Sequence, residues 1–220
     1  ATSIGVTVAG TSLIGNSIGE KDERKASYYF THIIYFGVII SIFITCIGLY
    51  FSEKVFYLMG SNEEITKLGL QYTDIMFYGS FLFFLVVSLN SLLHAEGDTK
   101  TYRNVLVLSF LLNIILNPIL IWGFLFIPAL GMTGIGLSTI ISQLIAFLII
   151  TFKVMQNDRV KKITKEFFIL KFIYLKNIFF QSMPISIAIC GYAVAATLIF
   201  TYIGLSGEMA VAGYGAATRI

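Results

Sequence analysis

The chain has 220 residues, of which 57% are hydrophobic and 12% charged, with a formal net charge of +3; soluble domains carry about a quarter charged residues. A water-soluble fold of this length has too little interior to hide so much apolar side chain, so composition excludes one and assigns the chain to a membrane. The small positive charge sits in connecting loops, which points away from a nucleic-acid partner.

In chain order, residues 1–19 (ATSIGVTVAGTSLIGNSIG) are uncharged and rich in small side chains, too polar for a helix bathed in lipid and suited to close helix packing. The charged loop EKDERK follows at 20–25. Hydrophobic segments are predicted at 28–51, 71–93, 105–123, 134–152 and 178–202, each near or above the length that crosses a bilayer. Lys and Arg number three in 20–26, two in 52–70, two in 94–104, none in 124–133 and seven in 153–177. Alternate connectors therefore hold twelve against two, which places the loops at 20–26, 94–104 and 153–177 on the cytoplasmic side.

In the 153–177 connector, Ile163, Phe167, Leu170 and Tyr174 recur at helical spacing among lysines. That pattern fits either a basic helix lying on an anionic membrane surface or an ordinary positively charged linker. Residues 205–220 resume the small-residue style of 1–19, as expected of a transporter with internal repeats. Residue 1 is Ala and both ends fall inside apolar runs, so the sequence reads as an excerpt of a longer protein without a signal peptide.

Functional candidates come from polar groups set in apolar helices. Asn113 and Asn117 are four residues apart in the uncharged run 105–123, so they share a helix face, and a carboxamide in hydrocarbon costs a few kcal/mol unless partnered. Pro118 beside them loosens the helix and is a hinge candidate. Gln143 falls near the midplane of its segment, where transporters keep their sites. Asp74 is the one acid inside a hydrophobic segment, and its place near the outer end reads as interfacial. His32 and His94 have no second metal ligand at suitable spacing, and Cys46 and Cys190 read as small core residues. No phosphate-binding loop, dinucleotide fingerprint or catalytic triad is present, so neither an enzyme nor a bound cofactor is expected.

The stretch LLHAEGDTKTYRNVLVLSFLLNIILNPILIWG followed by PALGMTGIGLSTIISQ resembles the signature of the MATE family of multidrug and toxin extrusion transporters. It has the A-x-G-D-T-K turn, the N-I-x-L-x-P-x-L-I helix and the G-x-x-G-x-G/A-x-x-T run; residues 1–26 are similar to the family's second helix and its loop. The resemblance implies an all-α transporter of two six-helix lobes, with 1–152 in the first lobe, 153–177 as linker and 178–220 opening the second. It also implies export of organic cations in exchange for sodium ions or protons. Asn90, Asn113, Asn117 and Thr139 would then line the first lobe's inner cavity, with Tyr72 a looser candidate. Where many members carry an aspartate, this chain has Asn117, which takes up no proton near neutral pH but whose carbonyl oxygen can coordinate sodium, as can that of Asn113.

The expected protein is thus a monomeric antiporter in a bacterial plasma membrane, rocking between two facings. Its partners are the bilayer and a small cationic substrate, which the 15% of aromatic residues would help to hold by cation–π contact. Two other readings are a lipid-linked oligosaccharide flippase of related fold, which should show a basic cavity, and a membrane-embedded enzyme or structural protein.

Overall fold

A computed structural model describes residues 2–58, 62–124, 128–204 and 213–214. The chain is all helical. In order come α1 (Thr2–Gly19), α2 (Glu23–Leu58), α3 (Glu63–Tyr78), α4 (Ser80–Ala95), α5 (Thr99–Trp122), α6 (Met132–Met155) and the single turn α7 (Asp158–Lys161). A 3-10 turn at Lys165–Phe168 and the long α8 (Phe172–Gly204) complete it. The expected stretch 205–220 lies, apart from Gly213 and Tyr214, outside the described residues.

Bulk is distributed inside out relative to a soluble protein. Gly5, Gly10, Ser17, Ser88, Ser91, Ser138 and Ser142 are buried between helices, while Phe43, Phe110, Ile115, Leu148 and Phe152 are exposed. Lipid tails solvate large apolar groups as well as a protein core does, so close approach of helix backbones takes over as the packing force. The helix α1, too polar to pass as a lipid-facing span, sits against α2, α4 and α8. Val6, Ile14, Ile33, Phe84, Leu92 and Ile178 form part of the shared core there.

Helices α2, α5, α6 and α8 are each long and apolar enough to cross a membrane, and α3 with α4 meets the same measure of length and composition only as a pair, bent by 40°. The bend falls at Gly79, where the sequence led us to expect continuous helix over 71–93. A broken helix in hydrocarbon must re-satisfy its freed backbone groups. Here α2 does so: the Thr45 hydroxyl donates to the Phe77 carbonyl at 2.8 Å and meets Ser80 Oγ at 2.8 Å, while Ser80 donates to the Ser41 carbonyl at 3.3 Å. Helix α5, by contrast, runs unbroken through Pro118. Cys46 and Cys190, expected in the core, are both exposed on helix surfaces, because those faces of α2 and α8 are covered by no other described helix.

Of the two readings of the connector, a single amphipathic helix or an ordinary charged linker, the structure shows no single helix. Ile163, Phe167, Leu170 and Tyr174 are divided among a loop, the 3-10 turn and the start of α8, and they do not share a face. Phe167 is buried, and Leu170 is exposed. The segment is strapped to the end of the bundle where α2 begins. The Thr31 hydroxyl donates to the Phe167 carbonyl at 2.9 Å, the Tyr35 hydroxyl to the Phe168 carbonyl at 3.0 Å, and the Lys171 amide to His32 Nε2 at 2.8 Å. Arg159 pairs with Glu23 at the head of α2 and with Glu96 after α4, the latter at 3.1 Å, and Arg24 reaches Glu166 at 3.1 Å. Side chains of one helix thus grip the linker's main chain, which ties its path to α2.

The turn between α4 and α5 uses Gly97 at φ 85°, a left-handed conformation that favours glycine. Asp98 then caps α5, accepting from the Thr101 amide at 3.0 Å and the Thr101 hydroxyl at 2.6 Å. The Thr101 hydroxyl first, and its amide second, hold the Asp98 carboxyl below the usual carboxylate range. A depressed folded-state value means the stabilisation is present above the unfolded pKa and is lost as pH falls through the folded one. Asp98→Ala is therefore expected to cost about 1 kcal/mol at neutral pH. Thermal melts of wild type and variant should draw together in acid; a gap that persists there would show that the cap charge contributes nothing.

Candidate functional site

Helices α5 and α6 are antiparallel neighbours whose approach is set by Gly134. A Cβ there would lie 2.5 Å from the Leu120 carbonyl oxygen and 3.1 Å from the Ile121 nitrogen. The loop joining them folds back so that the amides of Leu130 and Gly131 donate to the Leu120 and Ile121 carbonyls at 2.9 and 3.2 Å. Carbonyls left over at the end of α5 are thereby satisfied, and the register of the pair is set.

One helical turn along α6 from Gly134, Ser138 is fully buried against α5. Its hydroxyl lies 2.8 Å from the Ile135 carbonyl, 3.4 Å from Asn113 Oδ1 and within hydrogen-bonding contact of Asn117 Oδ1. Asn113 Nδ2 donates to the Ser109 carbonyl at 3.0 Å, which turns its oxygen toward α6. Three side-chain oxygens, from Asn113, Asn117 and Ser138, meet with one hydroxyl proton among them. A hydroxyl donates once, so the arrangement has more acceptors than donors and suits a cation or a donor on a ligand. Both asparagines are half-buried.

The structure separates the other sequence candidates from this trio. Thr139 points its hydroxyl back to the Ile135 carbonyl of its own helix at 3.1 Å. Asn90 is fully buried on α4, where its Nδ2 meets His94 Nε2 at 3.2 Å and its carbonyl oxygen has no partner among the described residues. Gln143 lies one turn and more from Ser138 toward the Met155 end of α6, and Tyr72 is half-buried on α3; neither side chain bonds the trio. Pro118 follows Asn117 directly and is exposed. Asp74 is half-buried on α3, eleven residues beyond the helix start at Glu63 and five before the bend at Gly79, which is deeper than the interfacial place expected from the sequence. Among the described residues no group of three or more His, Cys, Asp or Glu side chains stands close enough to hold a metal ion.

Ser138 was not among the residues the sequence singled out, although a signal for it exists. Gly134, Ser138, Ser142 and Ala146 recur every four residues and are all buried. Counting small residues along the helix picks out that inward face, whereas Thr139 lies about 100° round from it.

A family model described as MatE matches residues 1–119. The chain is 26% identical over 227 residues to the probable multidrug resistance protein YoeA of Bacillus subtilis, covering 99% of this chain and 48% of that protein. It is 30% identical to a probable multidrug resistance protein NorM of Mannheimia succiniciproducens, over 80% of this chain and 39% of the other. The multidrug export protein MepA of Staphylococcus aureus is 27% identical, over 96% and 46%. Among solved structures, an inward-facing multidrug resistance MATE family transporter of the MOP superfamily superposes with TM-score 0.85 at 27% identity, covering 99% of this chain and 49% of that one. An outward-facing one gives 0.84 at 25%, over 99% and 48%. The chain thus spans about half the length of the curated relatives it matches. With the helical fold, the transporter-like bundle and a family model matched over more than half of the residues, this chain belongs to the MatE family of MATE transporters.

Proposed function

We propose that the chain supplies the first lobe, the linker and the first helix of the second lobe of a monomeric secondary antiporter in a bacterial plasma membrane. The whole protein exports cationic, amphipathic compounds by alternating access, in exchange for sodium ions or protons. The observation that carries this reading is the meeting of Asn113, Asn117 and Ser138 oxygens in the interior of a membrane bundle. Neutral oxygens in excess of protons favour sodium at this position, since neither a carboxamide nor a hydroxyl titrates near neutral pH. Relatives named for multidrug resistance support the substrate class. Rocking of rigid lobes is supported by the near-equal superposition on inward- and outward-facing neighbours, because a lobe that moves as a body keeps its shape in both states.

The test uses the full-length parent protein in inside-out vesicles, following accumulation of a fluorescent cationic dye under an imposed sodium gradient and, separately, a proton gradient. Sodium-driven uptake is expected, and Asn117→Ala should lower it at least about tenfold, the equivalent of about 1.4 kcal/mol for one lost oxygen ligand. Uptake driven by protons alone and indifferent to the substitution would assign coupling to acids elsewhere in the protein. Absence of movement under either gradient would sink drug export and bring the flippase forward.

A further inference from the structure

The cytoplasmic half of the α4–α5–α6 junction borders a small, partly open cavity of about 40 Å³. Its apolar walls include Phe83 and Val86 of α4 and Ala146 of α6, and its polar lining is Tyr102, Ser109 and Gln143. None of those three polar side chains makes a hydrogen bond to another described residue. We infer that this cavity is an ordered-water site, holding at least one water molecule among Tyr102, Ser109 and Gln143.

Volume and chemistry both select that ligand. A water needs a cavity of roughly 10–15 Å³ and two to four polar partners, and cavities that stay dry are apolar. Here there is room for at least one molecule, beside three polar side chains that make no hydrogen bond to another described residue. Each of the three has hydrogen-bonding capacity that no described side chain or main-chain group uses. A sodium ion is disfavoured at this spot: no carboxylate lines the cavity, a cation would be uncompensated in a low dielectric, and the space admits no ion with a water shell.

The site lengthens the polar face of α5. The Ser109 carbonyl already accepts from Asn113 Nδ2 at 3.0 Å, and Asn113 leads on to Ser138 and Asn117. A water beside Ser109 carries that run of hydrogen-bonding groups one to two turns further, toward Tyr102 near the cytoplasmic end of the helix. Hydrogen-bonding groups then follow α5 through most of its length, interrupted by Val105, which is itself a wall of the cavity.

X-ray-generated hydroxyl radicals label side chains next to bound water even where bulk solvent cannot reach, so the full-length transporter in lipid nanodiscs supplies the test. Val86 borders the cavity and is 3% exposed; Val6 has the same chemistry, is 2% exposed and lies in the α1 core. Val86 is expected to label about tenfold faster than Val6, because water sits beside only one of them. That excess should vanish in Gln143→Leu and shrink in Ser109→Ala, each checked for monodisperse, folded protein. Equal rates for the two valines in the wild type would overturn the inference, as would an excess that survives Gln143→Leu. Should Gln143→Leu fail to fold, the wild-type ratio and Ser109→Ala decide.

Discussion

Valine at Gly134 is expected to abolish folded, monodisperse protein. The Cβ it introduces would sit 2.5 Å from the Leu120 carbonyl oxygen and 2.7 Å from its carbonyl carbon, and these are backbone atoms of a neighbouring helix. A flexible side chain can swing away from such an intrusion, but a backbone can give only if the whole of α5 moves. Relieving the contact needs about an extra 1 Å between the helices, which also pulls Ser138 from Asn117 and breaks the bonds from Leu130 and Gly131 to the end of α5. Overpacking of this kind costs 1–3 kcal/mol in adaptable cores, and the rigid contact here places the expected cost above about 3 kcal/mol. Size-exclusion profiles and thermal melts of the full-length protein check it. A Gly134→Val variant that melts within a few degrees of wild type would refute the claim that this glycine sets the α5–α6 approach. Alanine makes the same initial contact with less bulk and should fall between the two.

The second large effect concerns the linker. His32→Ala is expected to release the 162–171 segment from the bundle. The imidazole is completely buried, and its partners dictate its tautomer: the Tyr28 carbonyl, which can only accept, lies 2.8 Å from Nδ1, while the Lys171 amide, which can only donate, lies 2.8 Å from Nε2. The ring packs among Tyr28, Tyr35 and Tyr174 at centroid separations of 6.1, 5.9 and 5.1 Å. Truncation leaves the Lys171 amide without its acceptor and opens a hole where the fully buried imidazole packed in the aromatic cluster, together about 2–3 kcal/mol, which is a thirtyfold to hundredfold rise in local opening. Trypsin cutting at Lys161, Lys162 and Lys165, which follows the population of the open form, reads this directly. His32→Gln, which keeps an acceptor of similar reach, should recover part of the protection. If His32→Ala digests no faster than wild type, the strap of Thr31 and Tyr35 alone holds the linker.

Much of the site was legible before the fold was known, for reasons that can be traced to single residues. Asn113 and Asn117 stand out because carboxamides are costly in hydrocarbon and a four-residue spacing puts them on one face. Ser138, the group that joins them across the helix pair, is by itself an ordinary small polar residue; only the register of α5 against α6 makes it a neighbour. Asn90 and Thr139, implied by the resemblance, share no hydrogen bond with the trio in this structure: one is engaged with His94, the other with its own helix. The third hydrophobic segment read as one span because hydropathy is blind to where a helix bends, and Gly79 breaks it at a point where Thr45 of α2 is present to donate to the Phe77 carbonyl and Ser80 ties the bend to the Ser41 carbonyl.

What the sequence determined by itself was the membrane class, the helical content, the approximate spans and the family through its ordered motifs. These are local or additive properties, set by the transfer free energy of each residue and by period along the chain. What only the tertiary structure decided was which polar groups meet: Asn113 and Asn117 with Ser138, Tyr102 and Ser109 with Gln143 around one cavity, and His32 with the Lys171 amide 139 positions away. Those pairings depend on helix register and crossing, which follow from how small residues such as Gly134 let backbones approach. No property of a single segment contains that information.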